Sequence, residues 1–105
     1  MTKLQRDYIR DICRGYHERR REIELGDKGR PRRAEILAEY IRLNAAIDRA
    51  LLLVESESLR AQVKLAIIDG KGFNTMFEHF CGFNQFYALK RRVNHEIARL
   101  LNLEE

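Results

Sequence analysis

The sequence predicts an all-α protein, and three observations carry that expectation. One proline and six glycines in 105 residues leave few turns, too few for an all-β sandwich. Strong helix formers, Leu, Arg, Glu and Ala, are abundant. Apolar residues recur three and four apart over long stretches, the period of an amphipathic helix. Length predicts one domain over 1–105, divided into a long helical hairpin over 1–55 and a helix-turn-helix-like part over 56–105.

A first helix is predicted from about Leu4 to Leu25, with Leu4, Tyr8, Ile9, Ile12, Cys13, Tyr16 and Ile23 on one stripe. Arg19 and Arg20 interrupt that stripe, and their stems can cover apolar surface. Gly26-Asp27-Lys28-Gly29-Arg30-Pro31 breaks the chain, with Gly26 suited to a helix end and Pro31 to the next helix's first turn. A second helix then runs from about Arg32 to Val54, its stripe made by Leu37, Tyr40, Ile41, Ile47, Leu51 and Val54. Asn44 falls inside this stripe, either fixing register between packed helices or facing a gap. The short connection predicts an antiparallel pair.

Three shorter helices follow. Ser56 or Ser58 is placed to cap the third, which carries Leu59, Val63, Leu65, Ala66, Ile67 and Ile68. Asp69-Gly70-Lys71-Gly72 stops it. A fourth is expected to present Phe73, Phe77 and Phe80, capped by Thr75 with Glu78, or by Asn74. Gly82 breaks the chain again, and Asn84 is expected to cap a fifth helix from about Gln85 to Leu101. Two helices joined by a tight Gly-containing turn have the sequence form of a helix-turn-helix.

The fifth helix carries the functional signal. At 100° per residue, Phe86, Leu89, Val93, Ile97 and Leu100 fall within about 80° of one another and form the buried stripe. The opposite face carries Asn84, Ala88, Arg91, His95 and Arg99, with Gln85 and Arg92 alongside. Arg pairs with guanine and Asn or Gln with adenine, while Arg and Lys neutralise phosphates. Small Ala88 permits close approach to a groove, and residues at the start of the second helix are those that reach base edges. The alternative reading of this face is a solvated helix surface. Charge is uneven along the chain: residues 1–33 carry net +5, 34–83 net −2 and 84–102 net +3. Local positive patches are the footprint of nucleic-acid binding. Lys71, Tyr87 through its hydroxyl, and Lys90 complete the expected DNA-contacting set.

The run Cys81-Gly82-Phe83-Asn84-Gln85-Phe86-Tyr87-Ala88-Leu89-Lys90-Arg91-Arg92, with the lead-in Ile67-Ile68-Asp69-Gly70-Lys71, resembles the C-terminal signature of phage transcriptional regulators of the RinA/ArpU type. The resemblance covers roughly residues 59–101. It implies a helix-turn-helix similar to region 4 of sigma factors, binding to promoter-like double-stranded DNA, and activation of phage late genes.

Other constellations give less. Arg19, Arg20, Arg21, Lys28, Arg30, Arg32 and Arg33 make either a second phosphate-contacting patch or a solvated loop paired with Glu18, Glu22 and Glu35. His79, Cys81 and His95 match no zinc spacing, so no metal is expected. Cys13 reads as core and Cys81 as half-buried packing. Asp69-Gly70-Lys71-Gly72 lacks the residues of a phosphate loop, no catalytic set stands out, and neither an enzyme nor a cofactor is expected. With no window of about 18 uncharged apolar residues and no secretory signal, and with only two cysteines, a cytoplasmic chain without membrane contact is expected. The reading is thus a DNA-binding regulator, acting as a homodimer with RNA polymerase as a further partner. The rival is a helical adaptor or phage assembly protein that works through the N-terminal hairpin.

Overall fold

A computed structural model describes residues 1–76 and 78–103. The described residues are helical with no strand: α1 (Lys3–Arg14), α2 (Tyr16–Leu25), α3 (Pro31–Leu51), α4 (Glu57–Asp69), a single 3-10 turn (Phe73–Thr75) and α5 (Phe83–Leu100). Thr2 and Gln5 form a reciprocal capping box on α1. Ser56 caps α4, its Oγ accepting from the Leu59 N–H at 3.3 Å. Gly26 ends α2 with φ 75°, and Pro31 opens α3.

The expected first helix is two helices. Gly15, with φ −85° and ψ 1°, lies at the break, and its missing side chain leaves room for Arg19. A Cβ there would stand 2.5 Å from Nη1 of Arg19. That guanidinium is buried (8% exposed). It donates through Nε to Asn44 Oδ1 at 2.8 Å and through Nη2 to the Ile12 carbonyl near the end of α1. Asn44 Nδ2 donates in turn to the Tyr16 carbonyl at 3.1 Å. Arg19 is therefore an internal clamp and not part of a surface basic patch, and Asn44 joins the helices around it.

The break redirects the chain. α2 pairs antiparallel with α3, since Tyr16 meets Asp48, Arg19 meets Asn44 and Glu22 meets Arg33. α1 leaves this pair and packs on α4 and α5. The hairpin thus involves α2 and α3 alone, not the whole of residues 1–55. Leu4 and Tyr8 of the expected stripe are exposed, at 82% and 55%, because α1 turns only Ile9, Ile12 and Cys13 inward. The core joins these to Ile47 and Ala50 of α3, Val63 and Ala66 of α4, and Phe86, Val93 and Ile97 of α5. Ile41 and Leu65, also placed on inward stripes, are exposed.

The expected fourth helix is also corrected. Among the described residues of that stretch, only Phe73–Thr75 is helical, as a 3-10 turn. Side chains occupy the carbonyls a longer helix would use. The Thr75 hydroxyl donates to Gly72 O at 2.7 Å, His79 Nε2 lies 2.8 Å from Phe73 O, and the Gln62 amide donates to Glu78 O. The His79 ring stacks on Phe73 at 3.9 Å. No capping box joins Thr75 to Glu78, Phe80 is exposed, and Phe77 lies outside the described residues.

Burial has a consequence at high pH. It pushes the Cys13 thiol from 9.0 up to about 12. Burial, aided by the hydroxyl's hydrogen bond to Asp48, raises Tyr16 from 10.0 to about 12. Both groups stay protonated in the fold and lose protons first in the unfolded chain. Their contribution to stability is complete below about pH 9 and is lost as pH climbs toward about 12. Urea unfolding midpoints are expected to hold steady from pH 7 to 9 (about two pH units) and to fall beyond; a midpoint level through that alkaline range contradicts this.

Candidate nucleic-acid interface

α5 is amphipathic as its spacing requires. Phe86, Val93 and Ile97 are 0% exposed, and Leu89 and Leu100 are half-buried. On the other side Asn84, Gln85, Arg91, Arg92 and His95 are exposed, with Ala88 half-buried between them. The N-cap is Gly82, so Asn84 is not the cap. No side chain bonds the first turn, and that turn holds no acid. The missing cap leaves its N–H groups and the Asn84 and Gln85 amides at the helix end with positive dipole.

The basic residues of α5 divide into three groups. Arg91 and Arg92 point outward, and among the described residues no ion pair joins either to a carboxylate. Arg99 is engaged: its Nε lies 3.0 and 3.1 Å from the two Glu96 oxygens, and Nη2 also donates to Glu96. These bonds hold the Glu96 carboxyl below its ordinary range. Lys90 turns the other way, half-buried, with its ammonium 5.6 Å from the Tyr87 ring centroid.

Two further expected contacts lie apart from the exposed arginines. The Tyr87 hydroxyl accepts from the Phe73 N–H at 3.3 Å, and its ring lies 4.7 Å from Phe83. It holds the 3-10 turn against α5. Lys71 is exposed, but it lines a different groove with Leu65, Thr75 and Phe80.

α1 supplies residues that sequence reasoning missed. Arg6, Arg10 and Arg14 border a cleft of about 180 Å³ shared with Lys90 and Asn94 of α5 and floored by Cys13, Ala66 and Ile67. A neighbouring recess is lined by Arg6 and Ile9 from one side and Arg91, Asn94 and His95 from the other. A signal exists in the sequence, since Arg6, Arg10 and Arg14 stand four apart on one helix face. Contiguous basic runs are more conspicuous; in them Arg19 is buried, Arg33 pairs with Glu22 at 2.7 Å and Arg20 approaches Glu24 at 3.5 Å, while Arg21, Lys28, Arg30 and Arg32 are exposed.

Among the described residues no group of three or more His, Cys, Asp or Glu is placed to hold a metal, and no helix is long and apolar enough to cross a membrane. Compared with protein-family models, curated proteins and solved structures, the chain matches none.

Proposed function

We propose that this chain is a DNA-binding protein of the phage transcriptional-regulator kind, which lays the exposed face of α5 in the major groove of double-stranded DNA. The observation that carries the reading is the outward pair Arg91 and Arg92, without carboxylate partners among the described residues, on a helix whose other side buries Phe86, Val93 and Ile97. Arg91 and Arg92 supply phosphate or guanine contacts, and Asn84 and Gln85 reach for base edges. With a single 3-10 turn before it, α5 is supported by α1, α3 and α4 and not by the first helix of a helix-turn-helix. A homodimer would set two α5 helices on two half-sites, and RNA polymerase would be the further partner of a cytoplasmic regulator.

A second reading has its own observation. Leu25, Ile36 and Ile41 are exposed on the α2–α3 hairpin, at 60%, 47% and 52%, as an adaptor would require.

The test is the double variant Arg91→Ala with Arg92→Ala. Duplex affinity should fall by about ten-fold or more while far-UV circular dichroism stays at wild type, because both side chains are exposed and two phosphates go unneutralised. Wild-type affinity in that variant removes α5 as the reading element.

A further inference from the structure

We infer that the cleft between α1 and α5 is a phosphate-binding site that grips the DNA backbone beside the groove α5 enters. This rests on the DNA-binding reading and deepens it. Arg6, Arg10, Arg14 and Lys90 converge there with the Asn94 amide. The sole acid in the lining is Asp7, 3.0 Å from Lys3 and 3.6 Å from Arg10; Arg10 also approaches Asp11 at 3.6 Å, so Arg6, Arg14 and Lys90 carry most of the charge that an anion would meet.

Like charges four apart on a helix repel one another, and a bound phosphate reverses that repulsion. The apolar floor of Cys13, Ala66 and Ile67 reduces screening by water and strengthens each charge–charge interaction. Guanidinium forks match phosphate oxygens two at a time. The Arg14 guanidinium lies close over Gly70, where a Cβ would stand 2.7 Å from it. Gly70 sits in the left-handed region with φ 71°, so glycine serves both the turn and the arginine's position.

Continuity selects DNA as the source of the phosphate. Arg6 and Asn94 line both the cleft and the adjoining recess, and that recess ends on Arg91 and His95 of the exposed face of α5. A duplex on α5 would therefore run its backbone toward α1.

The variant Arg6→Gln with Arg14→Gln tests this, since both side chains are exposed and the core is untouched. Binding to a 20-base-pair duplex (about two helical turns) is measured by fluorescence anisotropy over a salt series. Affinity should fall about ten- to a hundred-fold, and the slope of log affinity against log salt should become shallower by about 0.9 for each phosphate no longer neutralised. In parallel, NMR of the Asn94 side-chain amide is followed with inorganic phosphate and with a two-nucleotide DNA. Wild-type affinity and slope in the double glutamine variant overturn the cleft proposal and leave the α5 reading intact. Failure of the wild-type chain to bind duplex, with a phosphate-induced Asn94 shift that the variant abolishes, sustains the phosphate chemistry for a free ligand and removes the DNA reading. Neither duplex binding nor a shift overturns both.

Discussion

Phe86→Ala is expected to lower the unfolding free energy by about 3–5 kcal/mol, a large share of the roughly 5–15 kcal/mol typical of a domain. Phe86 is 0% exposed and lies where α5 meets the 3-10 turn, with its ring 5.5 Å from Phe73 and 5.3 Å from Tyr87. Truncation removes the largest fully buried side chain and opens a cavity that the surrounding helices cannot fully close. Phe86→Leu, which keeps most of the volume, should cost well under half as much. Urea unfolding followed by circular dichroism separates the two. Equal costs for Ala and Leu would mean that packing at Phe86 does not hold α5 in place.

The second large effect concerns the clamp at the α1–α2 break. Arg19→Ala should cost about 1–3 kcal/mol, because Asn44 Oδ1 is left a buried acceptor without its charged donor, while the Ile12 carbonyl, which also loses Arg19, keeps the Gly15 N–H. Gly15→Ala should also destabilise, since its new methyl meets a guanidinium that Asn44 and Ile12 hold in place. In the Arg19→Ala background the clash is gone, and Gly15→Ala should be neutral or slightly stabilising, alanine being the better helix former. A double-mutant cycle therefore yields strong coupling. If Gly15→Ala costs the same in both backgrounds, Arg19 does not occupy the room that the glycine leaves.

The elements that sequence reasoning places correctly are those set by local chemistry. The Ser56 cap, the Gly26 and Pro31 boundary, and the buried stripe of Phe86, Val93 and Ile97 depend on neighbours within a turn or two. The misplaced features depend on partners far along the chain. Gly15 sits inside a periodic run that an isolated glycine does not ordinarily interrupt; the room it leaves is taken by Arg19, which is anchored on Asn44 25 residues further on. Phe73–Phe80 has helical spacing, but the Gln62 amide, 16 residues before Glu78, takes a carbonyl there. The interface divides in the same way. The outward side of α5 is readable from 100° steps, whereas the approach of Arg6, Arg10 and Arg14 to Lys90 exists only because the chain turns at Gly15. Angle alone places Arg99 among the DNA-facing residues, but Glu96, three residues before it, engages it instead.

Salt dependence of duplex binding by the wild-type chain decides between a nucleic-acid protein and a helical scaffold. Two outward arginines on α5 and a phosphate held in the α1 cleft give an expected slope of about −3 in log affinity against log salt. Absence of duplex binding even at about 50 mM salt, where such charge pairing is strongest, would contradict the DNA reading and leave the exposed α2–α3 hairpin as the working surface.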